Sequence, residues 1–154
     1  MAKKQSFITI HTKERGVIMK KIIFALLVAM VLFTSCGNKL KAGTYEDKIA
    51  GAESTVTVKV TVDNDGKITS VFFDETNKDS TKKALGYGYN MKAFGGTPYE
   101  WFEQVEFLEK AIVENQGTDF ITLNEAGKTD AVSGCTISVN HLIDAFNKVI
   151  AKAK

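Results

Sequence analysis

The sequence predicts a small α+β domain, a single unit in which an antiparallel β-hairpin or sheet packs against two helices. Residues 54–62 alternate apolar and polar side chains, as a strand with one buried face does. Two later segments instead repeat apolar residues at helical spacing. Hydrophobic residues make up 44% of the 154-residue chain, which is sufficient for one packed core. We therefore expect one folded domain over residues 43–154.

The first elements are predicted to form a β-hairpin. Residues 54–62 are its first strand, residues 63–67 its turn and residues 68–73 its returning strand. Gly66 allows the turn to adopt a positive φ. The buried face of the first strand is expected to consist of Val56, Val58, Val60 and Val62.

Weaker patterns surround the hairpin. Residues 43–48 predict an edge strand before it, and residues 74–83, which are polar, predict a loop after it. Residues 120–123 predict a short additional strand.

Two amphipathic segments predict helices. Thr97, Pro98 and Glu100 are typical of a helix start, as cap residue, first helical residue and capping-box acid. Gly117 is typical of the end of that helix. The last helix follows Ser138 and runs to the C terminus. The buried residues of the two helices are expected to be Trp101, Val105, Leu108, Ile112, Leu142, Phe146 and Val149.

The N-terminal segment has the composition of a secretory signal peptide, which we place at residues 19–35. Two lysines follow its methionine, and an apolar run at residues 22–33 comes next. That run is shorter than the roughly 20 residues that span a bilayer, and its length also disfavours a buried core helix. Residues 1–18 are interpreted as a gene-model extension.

The residues before Cys36, Leu-Phe-Thr-Ser, resemble the lipobox of bacterial lipoproteins. The resemblance implies that Cys36 is acylated and becomes the mature N terminus. Residues 36–42 are then a short tether, and the protein is extracytoplasmic and lipid-anchored to a bacterial membrane. If Cys36 carries lipid, Cys135 has no disulfide partner in the chain.

The charge distribution argues against nucleic acid as a partner. Of the 20 basic residues, six lie before residue 22, and they include the only arginine, Arg15. The mature chain is therefore net acidic, whereas nucleic-acid surfaces need a basic excess.

Most conventional catalytic patterns are weak here. The histidine and cysteine residues do not have metal-ligand spacing. Ser133, His141 and Asp130 offer a nominal hydrolase triad, but no nucleophile elbow surrounds the serine. Glutamates recur every third residue on the first helix and predict a solvent-exposed face formed by Glu100, Glu103, Glu106 and Glu109.

One segment remains as a candidate site, residues 130–138, which read Asp-Ala-Val-Ser-Gly-Cys-Thr-Ile-Ser. Small residues before a helix are typical of a simple cap. Their order, however, resembles the flavinylation motif of the FMN-binding domain family. That motif has Asp, two spacers, Ser or Thr, Gly, Ala and then Thr or Ser. Its FMN-bearing threonine corresponds to Thr136, and Cys135 stands where the family has alanine.

Other short segments, here called landmarks, look like segments of lipid-anchored family members, so the resemblance extends over residues 43–150. A departure lies after the motif, where Ser138 and Val139 replace a Thr-Ser or Ser-Ser pair. The matching landmarks are residues 43–45, 65–68, 89–91, 96–99 and 113–116.

The resemblance implies a flavoprotein that carries FMN through a phosphoester bond to Thr136. A separate FAD:protein FMN transferase that uses magnesium would attach it, and redox donor and acceptor proteins, not identified by the sequence, would exchange electrons with it. The phosphate is expected at the N terminus of the last helix. The expected FMN-binding residues are Thr136, Asp130, Ser133, Gly134, Cys135, Ser138, Tyr89 and Met91, and Tyr87 and Phe94 are further candidates for a flavin platform.

No general acid and base are evident, so an electron carrier is favoured over a self-contained enzyme. The alternative is a lipoprotein binding module. Such a module would hold FMN or another ligand non-covalently, or would act at the surface without a cofactor.

Overall fold

The computed structural model describes residues 39–51 and 53–154, which lie within one compact unit. The predicted gene-model extension, signal peptide and lipidated Cys36 lie outside the described residues, as does the first part of the tether. The last part of the tether is docked on the domain. Lys41 donates its backbone N–H to Ala153 O at 2.7 Å, and its carbonyl accepts from the Tyr45 hydroxyl at 2.9 Å.

The described residues form a four-stranded antiparallel sheet whose strands neighbour one another in chain order. Strand β1 (Gly43–Ala50) pairs with β2 (Thr55–Val62), and β2 pairs with β3 (Ile68–Asn77). The two-residue strand β4 (Ser80–Thr81) pairs with the end of β3. The expected edge strand at residues 43–48 is therefore confirmed and extends to Ala50.

The predicted hairpin is confirmed. All four valines of β2 are buried, at 0–4% exposure, because they share one face of the strand. In the turn, Asp63 Oδ1 accepts the N–H groups of Asp65 and Lys67, both at 2.9 Å. Gly66 has the positive φ that the turn requires, +76°.

The polar segment at residues 74–83 is not a loop, and that prediction was wrong. It contains the end of β3, the strand β4 and the start of helix α1 (Lys82–Leu85). Two of its carboxylates, Asp74 and Glu75, are buried because the protein supplies their partners. Asp74 Oδ1, for example, accepts the N–H groups of Glu75 and Lys83 at 2.8 and 3.0 Å.

A short irregular segment connects the sheet to the long helices. Helix α1 continues into a 3₁₀ turn (Gly86–Tyr89) and then helix α2 (Met91–Gly95). The predicted strand at residues 120–123 is absent from the described structure. The chain there follows a turn in which Ile121 N–H donates to Thr118 O at 3.0 Å.

Both predicted long helices are present. Helix α3 (Trp101–Asn115) packs against β3, and helix α4 (Asn140–Ile150), followed by a 3₁₀ turn (Ala151–Ala153), packs against β1 and β2. The core lies between these helices and the valine face of the sheet. All the helical residues that were expected to be buried are buried, namely Trp101, Val105, Leu108, Ile112, Leu142, Phe146 and Val149.

The ends of α3 differ from the prediction. The helix starts three residues later than expected, with Glu100 as N-cap, and Glu103 Oε2 accepts the Glu100 N–H at 2.7 Å. Thr97 is not the cap, because its hydroxyl donates to Tyr99 O at 2.8 Å in a separate turn. At the other end, Gln116 adopts the left-handed conformation one residue before Gly117.

Candidate functional site

The loop between α3 and α4 carries the motif and is closely packed where it meets α4. Val139 N–H donates to Gly127 O at 2.7 Å. Gly127 has a φ of +71°, and a side chain there would place its Cβ 2.6 Å from Ser138 Oγ. The chain therefore needs glycine at this position so that the loop can close between Gly127 and Val139.

Gly134 lies against an aromatic pair on the α3 side of the site. Tyr99 and Phe107 pack edge to face, with ring centroids 5.0 Å apart. Gly134 has a φ of +83°, and a Cβ there would lie 2.8 Å from the Phe107 ring. Its absent side chain allows the motif to approach the aromatic pair.

Thr136 is exposed, yet a buried residue of α3 holds it in place. Its backbone N–H donates to Gln104 Oε1 at 2.8 Å, and its hydroxyl donates to the same oxygen at 3.1 Å. Gln104 is 0% exposed. The orientation of the Thr136 hydroxyl is therefore set from inside the domain.

The other end of the Gln104 amide is also satisfied. Its Nε2 donates to Tyr99 O at 2.9 Å and approaches Met91 Sδ at 3.6 Å. Met91, one of the expected flavin-binding residues, is thus linked to Thr136 through Gln104. Sequence reasoning missed Gln104, although a polar residue within the buried stripe of a helix was a usable signal.

The acidic stripe of α3 is only partly solvated: of its four members only Glu106 is exposed, so the prediction of an exposed face was wrong for the other three. Glu100 is 3% exposed and accepts the N–H of Met91 at 2.7 Å. Glu109 accepts the N–H of Phe73 at 2.6 Å and a hydrogen bond from Lys83 Nζ at 2.7 Å. Burial raises the pKa of Glu109, although these hydrogen bonds oppose the shift.

Cys135 is a free thiol inside the core, at 3% exposure. Burial raises its pKa to about 11, although a backbone hydrogen bond from Ile137 opposes the shift. The thiol is therefore protonated at neutral pH and has little nucleophilic character.

The remaining motif side chains do not surround Thr136 as a ready-made pocket. Asp130 and Ser133 are exposed on the loop. Ser138 is half-buried, and its hydroxyl donates to Asn140 Oδ1 at 2.8 Å. Asn140 is the first residue of α4, four positions after Thr136.

The aromatic platform candidates are dispersed. Tyr87 is 69% exposed and packs edge to face on Phe102, at 5.2 Å between centroids, and Phe94 is 87% exposed. Tyr89 lines a cleft of about 470 Å³ at the end of β3, together with Lys82 and His141. Among these candidates and Met91, only Met91 is joined to Thr136 by the hydrogen bonds of the described residues.

The cleft contains a buried charge cluster. Glu75 is 2% exposed, and its carboxylate contacts both Lys82 Nζ and His141 Nε2. Burial acts to raise the pKa of Glu75, but the hydrogen bonds with His141 and Lys82 outweigh burial and hold that pKa below its usual range. Because His141 pairs with Glu75, the described residues do not assemble a triad with Ser133 and Asp130.

Neither a membrane span nor a metal centre is found in the part of the chain that the structure describes. Within residues 39–51 and 53–154, every helix is too short or too polar to cross a bilayer. Those residues also contain no cluster of three or more His, Cys, Asp or Glu side chains suited to a metal ion.

Comparison with known families agrees with the family resemblance of the sequence. The sequence model of the FMN-binding domain family matches residues 51–151, which include β2, β3, both long helices and the motif loop. No curated protein and no solved structure matches the chain.

Proposed function

The chain belongs to the FMN-binding domain family, and from this premise we propose that it carries one FMN covalently on Thr136 and shuttles electrons. The observation that carries this proposal is the state of the Thr136 side chain. Thr136 is exposed at the surface, while its backbone N–H and its side-chain hydroxyl both donate to the buried Gln104. A nucleophile presented in this way is accessible to a modifying enzyme and restricted in orientation.

Attachment requires one phosphoryl transfer. The Thr136 oxygen forms a bond to the phosphorus on the riboflavin side of FAD, and the bridging P–O bond of the pyrophosphate breaks. AMP leaves with the bridging oxygen, and the hydroxyl proton passes to the transferase or to solvent. An FAD:protein FMN transferase with magnesium supplies the catalysis, and Asp130, exposed on the loop, is available for contact with it.

The residues around Thr136 fit such a group. Gly134, two residues before the threonine, lets the loop pack against Phe107 and Tyr99, and its φ of +83° is readily adopted only by glycine. The N-cap of α4 is Val139, whose side chain cannot accept a hydrogen bond, so the N–H groups of the first turn are available to favour a phosphate.

A carrier role fits the chemistry of the site better than an enzyme. Bound FMN supplies the redox chemistry. The Cys135 thiol is buried and its pKa is raised to about 11, so it is unsuited to thiol exchange. The protein then contributes attachment, orientation and tethering, while separate donor and acceptor proteins exchange electrons with the flavin.

The proposal includes an extracytoplasmic location. Acylation of Cys36 would anchor the domain to a bacterial membrane by lipid. The docked Lys41 would then leave only a few residues between the lipid and the fold, so the domain would remain close to the membrane surface.

Flavin fluorescence in a denaturing gel tests the covalent link. The full chain is produced together with an FAD:protein FMN transferase, boiled in detergent and separated. We expect a fluorescent band for wild type and for Thr136→Ser, which keeps the hydroxyl, and none for Thr136→Ala. Flavin that is released by boiling would instead support the non-covalent binding module.

A further inference from the structure

We propose that Gln104 is a positioning residue for flavin attachment, which fixes the Thr136 hydroxyl in the orientation that the transferase requires. This inference rests on the proposed function of Thr136. It concerns a residue of α3 that lies 32 positions earlier in the chain and outside the motif.

Two hydrogen bonds to one oxygen determine the threonine rotamer. Gln104 Oε1 accepts from the Thr136 N–H at 2.8 Å and from the Thr136 hydroxyl at 3.1 Å. Rotation about χ1 away from this rotamer would break the second bond while the first remained. Because the hydroxyl donates its proton to Gln104, the lone pairs of Oγ1 are left available for a bond to phosphorus.

The direction of the Gln104 amide is itself determined. Its Nε2 donates to the carbonyl of Tyr99 at 2.9 Å. A flipped amide would place Oε1 against that carbonyl and Nε2 against the Thr136 N–H, so it would lose both backbone hydrogen bonds, and the Thr136 hydroxyl would accept from Nε2 instead of donating. Since Gln104 is 0% exposed, water cannot easily replace them.

Gln104 acts through Thr136 and does not take part in the bond changes. In the transfer, a bond forms between Thr136 Oγ1 and phosphorus, the bridging P–O bond of FAD breaks, and AMP leaves. An amide oxygen is too weak a base to accept the released proton at neutral pH, so the O–H bond turns away from the buried Gln104 as the proton passes to the transferase or to solvent. The contribution of Gln104 is therefore orientation, which enters the rate of transfer.

The test compares Gln104 with Gln116, the residue that caps the C terminus of α3. Gln104→Met removes the amide and keeps the approximate side-chain length. The matched control is Gln116→Met at the far end of α3, where Oε1 accepts the Ile68 N–H at 2.9 Å and Nε2 donates to Ile68 O at 3.0 Å. Both variants lose side-chain hydrogen bonds to backbone, but only the first touches Thr136.

The full chain is incubated with transferase, FAD and magnesium, and the initial rate of flavin attachment is followed by intact mass. We expect Gln104→Met to lower kcat by about 10–100-fold, with a smaller change in KM, because a misplaced nucleophile costs about this much. Gln116→Met should remain near the wild-type rate. Gln104→Glu keeps an acceptor oxygen for Thr136 and, in its protonated form, a donor for the Tyr99 carbonyl, so it should recover part of the loss.

Hydrogen exchange provides a readout that does not depend on flavin. In unmodified wild-type protein, the Thr136 amide is expected to exchange slowly despite its exposed position, because it donates to a buried oxygen. Gln104→Met should remove that protection, and Gln116→Met should leave it unchanged.

The outcomes separate this inference from the proposed function. If wild type acquires flavin and Gln104→Met acquires it at the same rate, Gln104 does not position the acceptor and the inference is overturned while the function stands. If wild type acquires no flavin, the proposed function and the inference about Gln104 are both contradicted. If Gln104→Met does not fold, Gln104→Glu and the wild-type exchange rate decide, and fast exchange of the Thr136 amide would contradict the inference.

Discussion

Gln104 Oε1 accepts hydrogen bonds from both the backbone and the hydroxyl of Thr136. This relationship joins the middle of a core helix to an exposed position on the motif loop. It explains how a threonine outside regular secondary structure can have a defined orientation, because its partner is completely buried. The following predictions depend on this arrangement and on the packing around it.

Gly134→Ala should destabilise the domain and reduce flavin attachment. The substitution places a Cβ 2.8 Å from the Phe107 ring at a φ of +83°, and such overpacking costs about 1–3 kcal/mol. The control is Gly88→Ala, where an added Cβ would meet no described atom within 4 Å. Urea unfolding measures the difference, and equal stability of the two variants would show that Gly134 is not closely packed.

Cys135→Ala should acquire flavin at least as well as wild type, because alanine is the usual family residue and the thiol is buried. The expected loss in the free energy of unfolding is about 1 kcal/mol, the cost of removing one small buried group. In native wild type, alkylation mapped to the Cys135 peptide should be slow, since burial raises the thiol pKa to about 11. Loss of flavin in the variant would show that the Cys135 thiol has a role in flavin attachment.

Glu75→Gln should destabilise the domain by about 1–3 kcal/mol at neutral pH, because the buried carboxylate is the partner of both Lys82 and His141. The folded-state pKa of Glu75 is lowered. Its stabilisation is therefore present above its ordinary pKa of 4.5 and is lost as pH falls through the folded-state value. Wild type should lose more stability than the variant between pH 7 and pH values below about 4.

Glu46→Gln is the control for this comparison. Glu46 forms an exposed ion pair with Lys59 at 3.0 Å, and such pairs contribute about 0–1 kcal/mol. Denaturant unfolding at both pH values measures each variant. A Glu75→Gln protein with the stability and pH dependence of Glu46→Gln would show that the buried cluster has no energetic role.

Cys36→Ser should abolish incorporation of a labelled fatty acid that wild type incorporates during bacterial growth. The reason is that the thiol of Cys36 is the proposed acceptor of the diacylglycerol group. Cys135→Ala, which removes the other cysteine, should still be labelled. A labelled Cys36→Ser protein, or a wild-type chain that keeps residues 19–35, would refute the lipid anchor.

The regular elements were predictable from the sequence because each has a clear period. The valines of β2 alternate, and the apolar residues of α3 and α4 repeat at helical spacing, so their burial followed directly. The start of α3 was predicted three residues too early because the sequence contains two overlapping capping pairs, Thr97 with Glu100 and Glu100 with Glu103. Only the structure shows that Glu100 is the N-cap.

The errors at residues 74–83 and on the acidic stripe of α3 share a physical cause, which is that polar residues were assumed to be solvated. Asp74 and Glu75 are buried because backbone N–H groups, Lys82 and His141 satisfy them. Gln104 was overlooked for the same reason, since its value as a buried acceptor depends on Thr136, which is distant in sequence. Such long-range pairings leave no local pattern.

Intact-mass analysis followed by peptide mapping tests the central claim most directly. The full chain is produced with and without an FAD:protein FMN transferase, as wild type, Thr136→Ala and Thr136→Ser. We predict that the transferase adds the mass of one FMN less one water to wild type and to Thr136→Ser, that the modification maps to residue 136, and that Thr136→Ala gains nothing. Flavin mapped to Ser133 or Ser138, or no added mass under any condition, would contradict the account.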